Sequence, residues 1–325
     1  MTRARVVMKY VSLTMRLARG ELARWCAEHW AGAPELTGDL HRRYCALGQP
    51  RPVRPVAGAG TGIAAAFTLR LGLLAEGAAP ASALLGPVRV GLAKPRWAEQ
   101  AAGLFGPSRL PATVADRFSP YRRRVRNPPA PLGDLAEHET VLTEFVTRTG
   151  RFLAEHAPPG ALGNPGAETV LARVCWVLAG WETGFRTGRM PERLAAVHAH
   201  PGYTVDDLRA AAPEPVVAEL VELARALHVS GTLAGWRGDA PGRPIAAEPL
   251  GVAGPVILPR WAEADLLVGS TLWDVVTAAW PDNPDVVTRA LWRLLACAWL
   301  DTRDVYGIRS VGIYLARHGV AASWG

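Results

Sequence analysis

The segment 264–276, Ala-Asp-Leu-Leu-Val-Gly-Ser-Thr-Leu-Trp-Asp-Val-Val, constrains the fold of this chain more than any other stretch. Its apolar residues form two short runs separated by Gly269 and Ser270, a pattern that predicts two β-strands joined by a tight turn. The runs carry Asp265 and Asp274. A carboxylate on a buried strand is costly unless it is compensated, and a divalent metal ion is the usual compensator. The segment therefore predicts a hairpin with a compensated acidic site.

The pattern around this hairpin predicts a mixed α+β fold. Downstream of it, the predicted elements are a helix over about 284–301 and two strands, 310–315 and 320–324, joined by a turn at His318-Gly319. Upstream, apolar residues recur at helical spacing over 6–30, 63–74, 132–156, 167–186 and 206–227. We predict three regions, with a proline cluster near residue 130 as the first boundary. They are a helical, arginine-rich region 1–130, a helical region 131–250 that leads into the core, and a small α/β core 251–325 with a mixed sheet and flanking helices.

The hairpin resembles the metal site of the PD-(D/E)XK nuclease superfamily, which has an aspartate, a short hairpin and then acid-x-lysine. Asp265 and Asp274 stand at the two acidic positions, and the order strand, strand, helix, strand, strand resembles the superfamily core over roughly the last 75 residues. The resemblance implies one or two Mg²⁺ ions held by Asp265, Asp274 and a helix glutamate. Glu182, near the end of an apolar helix, is the better candidate, although an ion pair with Arg186 also explains it. Glu168 is the alternative, but a carboxylate in a first helical turn suits the helix dipole anyway.

The chain departs from the superfamily at its reactive positions. Val276 stands at the lysine position, and the only lysines are Lys9 and Lys94 among 36 basic residues. The RecB-like branch places a glutamine and a tyrosine on the following helix, where this chain has Arg293 and Cys297. A similar Gly-Thr-x-x-His motif is eroded to Gly-Thr-Gly-Ile-Ala at residues 60–64. The resemblance therefore implies a nuclease core whose cleavage is weak or lost.

An arginine on the helix after the hairpin offers two further interpretations of the acidic pair. Arg289 or Arg293 can face the aspartates and stabilise a phosphate, although arginine cannot relay a proton as lysine does. The catalytic candidates are then Asp265, Asp274, Glu182 and Arg293. Alternatively, Asp265 caps a strand start and Asp274 simply pairs with one of these arginines.

A net charge of +7 and a pI of about 9.7 suit contact with nucleic acid, although an arginine-biased composition gives the same values without any binding role. The candidate phosphate contacts are Arg122, Arg123, Arg124 and Arg126, which follow Tyr121, together with Arg289. A solvated loop is the alternative for the arginine run. Among the 12 tryptophans, we predict core positions for Trp25, Trp176, Trp292 and Trp299, and groove positions for Trp236, Trp261 and Trp280.

Several classes of protein and site are excluded or disfavoured. No apolar run is long enough to cross a membrane and no signal peptide is recognisable, so we expect a cytoplasmic protein. The four cysteines lie far apart without a C-x-x-C pair, so we expect them to be reduced and not to bind zinc or an iron–sulfur cluster. Gly58 to Gly62 lacks the context of a nucleotide-binding loop, and His198-Ala199-His200 lacks a third metal ligand. No Gly-x-Ser-x-Gly motif indicates a hydrolase. Mg²⁺ is the only cofactor that the sequence suggests.

The leading prediction is a nucleic-acid-binding protein derived from a nuclease, with DNA favoured over RNA. The family resemblance implies a role in DNA processing or in defence against foreign DNA. One alternative is an active Mg²⁺-dependent nuclease that uses an arginine in place of the lysine. The other is a structural subunit that binds a protein partner through apolar helices and exposed tryptophans.

Overall fold

The computed structural model describes residues 13–18, 20–46, 52–106, 118–122, 125, 129–240, 248–259, 261–278 and 284–325. The fold is mixed: helices dominate the N-terminal part, and a five-stranded sheet with flanking helices forms the C-terminal part, which confirms the predicted fold class. None of the described helices is both long and apolar enough to cross a membrane.

The helices follow from apolar residues at helical spacing between glycine and proline breaks. They are α1 (Leu13–Ala18), α2 (Glu21–His29), α3 (Ala33–Ala46), α4 (Gly60–Glu76), α5 (Ala81–Arg89), α6 (Pro95–Ala102), α7 (Leu135–His156), α8 (Pro165–Thr187), α9 (Glu192–Ala199), α10 (Val205–Ala210), α11 (Glu214–Val229), α12 (Thr232–Asp239) and α13 (Pro284–Leu300). The predicted helix 6–30 is divided at Gly20, whose φ of +103° only glycine adopts readily. The predicted helical segment 206–227 is divided into α10 and α11 before Pro213, the N-cap of α11, whereas Pro215 lies in the first turn of α11, where proline is tolerated.

The sheet follows from the short apolar runs of the last 75 residues. Its strands are β1 (Gly251–Ala253), β4 (Leu266–Val268), β5 (Thr271–Val276), β6 (Ser310–Leu315) and β7 (Val320–Trp324), and β2 (Val256–Leu258) and β3 (Ala262–Glu263) form a separate two-stranded sheet. The main sheet has the order β1-β4-β5-β6-β7. β5 and β6 are parallel and are connected through α13, whereas the other neighbours are antiparallel. The predicted order strand, strand, helix, strand, strand is therefore present.

Each face of the main sheet carries its own apolar cluster. Leu266, Val268 and Trp273 pack with the helices α4, α5, α7 and α8, which form what we term the helical lobe. Leu267, Leu272 and the alternate residues of β6 pack with α13 on the other face. The N-terminal helices α1, α2 and α3 join this second cluster, a long-range contact that the sequence patterns do not reveal.

Candidate functional site

The register of the β4–β5 hairpin places the two predicted acidic residues side by side. Leu266 pairs with Trp273, so the next position outward sets Asp265 opposite Asp274. Because side chains alternate along a strand, Asp274 lies on the same face as Leu272, which is the face that α13 covers. Both carboxylates therefore point toward one place beneath a helix.

Arg293 of α13 occupies that place. Its Nη2 donates a hydrogen bond to Oδ1 of Asp274 and lies 3.7 Å from Oδ1 of Asp265. Its Nη1 donates to the main-chain carbonyl of Glu263 at 3.1 Å, which fixes the plane of the guanidinium. The second Asp265 oxygen accepts a hydrogen bond from the Val275 N–H at 2.8 Å. The arginine predicted to face the acids from the helix thus bridges both of them.

One arginine shared by two carboxylates leaves a surplus of negative charge. Burial and the neighbouring Asp274 raise the pKa of Asp265 to about 7, although Arg293 and the Val275 N–H act in the opposite direction. The pKa of Arg293 is also raised, because the attraction of the two aspartates outweighs the effect of burial. Near neutral pH, Asp265 is therefore divided between its protonated and charged forms.

A second acidic group faces the first from the helical lobe. Glu182 of α8 accepts hydrogen bonds from Arg186 at 2.7 Å and from Ser82 at 3.1 Å. Arg186 also lies 3.8 Å from the carboxylate of Glu263. The pKa of Tyr121 is raised by burial and by the two glutamates. Glu182 thus has the Arg186 partner that its spacing predicts, and Arg186 in turn reaches Glu263, two residues before Asp265.

Both acidic groups line a cavity of about 700 Å³ that is bounded by α4 and α8 of the helical lobe, by residues of β1 and β5, and by Arg293 of α13. Its charged lining residues are Glu182, Arg186, Glu263, Asp265, Asp274 and Arg293, so that among the described residues acids outnumber arginines by two. Thr68, Ser82 and Tyr306 add hydroxyl groups. Such a lining repels phosphate unless a further cation enters.

The donor arrangement does not fit the predicted Mg²⁺ site. Asp265 and Asp274 already share a guanidinium, and Glu182 is engaged by Arg186 and Ser82. Within the described ranges, no three histidine, cysteine, aspartate or glutamate side chains are grouped so that they could hold a metal ion. The three predicted ligands line one cavity but are not assembled around a common point. Val276, at the lysine position, packs in the apolar cluster beside α13.

The predicted nucleic-acid contacts are less well placed. Arg122 is exposed but forms an ion pair with Glu99 at 2.9 Å. Arg123, Arg124 and Arg126 lie outside the described residues. Arg289 is half-buried on α13 and forms no ion pair with another described residue, and the aspartates contact Arg293 instead.

The tryptophan predictions are partly wrong. Trp299, predicted to be core, is 68% exposed and stacks on Trp25 with ring centroids 5.5 Å apart. Trp236, predicted to line a groove, is buried against Trp273. Trp261 does line the cavity, and Trp280 lies outside the described residues. The core position predicted for Trp299 from helical spacing is wrong, because the face of α13 that carries Trp299 is left uncovered at the C-terminal end of the helix.

Sequence reasoning missed Glu263 and Tyr121 as parts of the site, and it treated Glu168 as a first-turn acid. Glu168 does lie in the first turn of α8, and it also forms a buried ion pair with Arg70 at 2.7 Å. The apolar surroundings of Arg70 in α4 were the available signal, since an arginine in such a helix needs a partner.

Comparison with known proteins adds no relative. No protein-family model matches the chain, and neither a curated protein nor a solved structure matches it significantly.

Proposed function

We propose that this chain is a nucleic-acid-binding protein whose C-terminal core derives from a PD-(D/E)XK nuclease and whose cleavage is weak or lost. The observation that carries the proposal is the convergence of Asp265 and Asp274, from neighbouring strands, on Arg293 of the crossover helix. Burial of two carboxylates beneath a helix lowers the stability of the fold, and such placements concentrate at present or former functional sites.

Loss of cleavage is supported by the chemistry of the cavity. Val276 supplies no proton relay, and Arg293 stays protonated at every physiological pH. The surplus of acids in the cavity repels a phosphodiester in the absence of a metal ion. A scissile phosphate therefore lacks both an activated water and an attractive field.

Nucleic-acid binding is supported by the exterior. Many arginines of the described chain are exposed and form no ion pair with another described residue. They are Arg16, Arg24, Arg54, Arg96, Arg151, Arg189, Arg193 and Arg303. Arginines of this kind contact phosphates and release counterions. The exposed ring of Trp299, supported from beneath by Trp25, suits stacking on an unpaired base.

The binding test is a titration of labelled single-stranded DNA, duplex DNA and RNA at several salt concentrations. We expect the association constant to fall steeply with salt, because each phosphate contact releases counterions. The variant Trp299→Ala should weaken binding to single strands more than binding to duplex. Val229→Ala is the matched control, since Val229 is an apolar side chain that is equally 68% exposed. Absence of binding, or binding that does not change with salt, refutes the proposal.

The cleavage test incubates linear and single-stranded DNA with the protein and Mg²⁺ or Mn²⁺, with Asp274→Ala as the control. We expect no cleavage above that of the Asp274→Ala protein. Cleavage by the wild type that disappears in the variant would establish instead the alternative of an active nuclease.

The exposed Trp25–Trp299 stack also favours a second candidate, a structural subunit that binds a protein partner. Aromatic side chains of this kind are enriched at protein interfaces. This candidate predicts no salt-dependent affinity for nucleic acid. It also predicts self-association or partner capture that Trp299→Ala abolishes in size-exclusion chromatography with light scattering.

A further inference from the structure

We infer that the guanidinium of Arg293 serves as the built-in cation of the Asp265–Asp274 pair. The core is then complete without a divalent metal ion, and removal of this one side chain uncovers a site for a hard divalent cation such as Mn²⁺ or Mg²⁺. The inference stands on the contacts of Arg293 and holds whether or not the protein binds nucleic acid.

The guanidinium of Arg293 is surrounded by oxygen atoms. Three oxygens from separate points of the chain face it: Oδ1 of Asp274, Oδ1 of Asp265 and the main-chain carbonyl of Glu263. Two carboxylates and a carbonyl are the oxygen donors that hard divalent cations take. Water from the adjoining cavity can complete the coordination of such an ion.

The side chain of Arg293 is held in place. Nη2 contacts the acids while Nη1 donates to Glu263, so two nitrogens fix the fork in one orientation. The side chain of Arg293 is 18% exposed, and α13 packs on β5 and β6 around it. A cation from solution must displace a charge that is tethered to the protein and therefore costs no entropy of association.

Arg293 also supplies the positive charge opposite the two aspartates. Without Arg293, two adjacent carboxylates with 22% and 11% exposed side chains face each other without a counter-charge. Like charges at this separation and burial destabilise the folded state until a cation binds. A cation that binds the folded state but not the unfolded one raises the unfolding temperature, and above the dissociation constant this rise grows with the logarithm of the cation concentration.

The experiment compares thermal unfolding of the wild type and Arg293→Ala in EDTA and in increasing Mn²⁺, at one fixed pH. We expect the wild-type midpoint to be the same in both conditions. Arg293→Ala should unfold at a lower temperature in EDTA and recover by about 4 °C at one hundred times its dissociation constant for Mn²⁺. Calorimetry should then give one Mn²⁺ per chain for the variant.

Matched variants separate this site from adventitious binding. The double variant Arg293→Ala with Asp274→Asn should lose the response to Mn²⁺, because one of the two carboxylates is gone. Arg173→Ala should show no response, since Arg173 contacts only the exposed Glu214 among acidic groups in the described chain. Arg293→Gln keeps a donor for the Glu263 carbonyl and removes the charge, and it should behave as Arg293→Ala does.

Two results would overturn the inference. One is a wild-type protein that binds Mn²⁺ and loses that binding in Asp274→Asn, because the arginine would then not occupy the cation position. The other is folded Arg293→Ala or Arg293→Gln protein that binds no Mn²⁺. If neither variant is folded in EDTA, refolding from denaturant decides: recovery only with Mn²⁺ supports the inference, and no recovery with Mn²⁺ refutes it.

Discussion

Arginine is buried against carboxylates in two different ways in this molecule. Two buried pairs each join one arginine to one glutamate, with side chains that are at most 7% exposed: Arg317 with Glu219, and Arg70 with Glu168. At the cavity, Arg293 serves two acids, and all three side chains are between 11% and 22% exposed. The first arrangement is balanced in charge and sealed, whereas the second has one carboxylate too many and reaches a cavity.

The balanced pairs have a visible structural purpose. Arg317 donates to the carbonyls of Val53 and Thr277 as well as to Glu219, and Glu219 accepts from the Val56 N–H at 2.6 Å. This network fastens the segment before α4 to the end of β6. A buried pair of this kind selects one arrangement of the chain even where it adds little net stability.

The cavity site also joins segments, because Arg293 ties α13 to Asp274 of β5 and to the carbonyl of Glu263 in β3, but it holds one acid more than this connection requires. A single aspartate would suffice to pair with Arg293, so the second one adds electrostatic cost without a new connection between elements beyond its bond to Val275. A surplus of buried charge, rather than the presence of a buried ion pair, therefore distinguishes a candidate functional site from a structural clamp.

Replacement of Glu219 by glutamine should have the largest effect. Glu219→Gln leaves the guanidinium of Arg317 buried without a counter-charge, and we expect a loss of about 4 kcal/mol in the free energy of unfolding. Chemical denaturation measures it. Glu214→Gln, which removes an acid with a 76% exposed side chain from Arg173, should cost less than about 1 kcal/mol. Equal effects of the two variants would show that the Arg317 pair is not a clamp.

Replacement of Glu168 should rank second. Arg70 and Glu168 are slightly more exposed than the first pair, at 4% and 7%, and the amide of Glu168→Gln can still accept the hydrogen bond from the Gly163 N–H. We expect a loss of about 3 kcal/mol by the same measurement. A loss larger than that of Glu219→Gln would reverse the ranking by burial.

The same acid-to-amide change at the cavity should have the smallest effect, with a sign that depends on pH. The pKa of Asp265 is raised from 3.8 to about 7, so the folded protein binds this proton more tightly than the unfolded chain does. The stability that this proton contributes is fully present below pH 4 and is lost as the pH rises to about 7. Asp265→Asn removes this loss and should make the protein more stable than the wild type at pH 8 by roughly 1–3 kcal/mol, and about equally stable at pH 4.

Denaturation of both proteins at pH 4, 6 and 8 measures the difference. Asp304→Asn is the control of opposite sign, because Arg309 lowers the pKa of Asp304 and the wild type should then be the more stable protein at pH 8. If Asp265→Asn destabilises equally at every pH, Asp265 acts only as the hydrogen-bond acceptor of Val275.

What the sequence determined by itself is local. The period of two identified β6 and β7 with their bounds, the period of 3.6 placed α8 and α13 to within two residues, and Gly269-Ser270 between two apolar runs fixed the hairpin that sets Asp265 beside Asp274. These features depend on neighbours within a few residues, and the backbone geometry that produces them is the same in every protein.

Which charges meet depends on how the helices and the sheet pack. This packing brought Arg293 rather than Arg289 to the aspartates, joined Glu263 to Arg186, buried Glu168 with Arg70, and left Trp299 exposed. The partners of Arg70 and Arg317 are each 98 positions away in the chain. A periodic pattern states that a side chain needs to be covered or compensated, but the partner is set by how helices and sheet pack in space, and that information is spread over the whole chain.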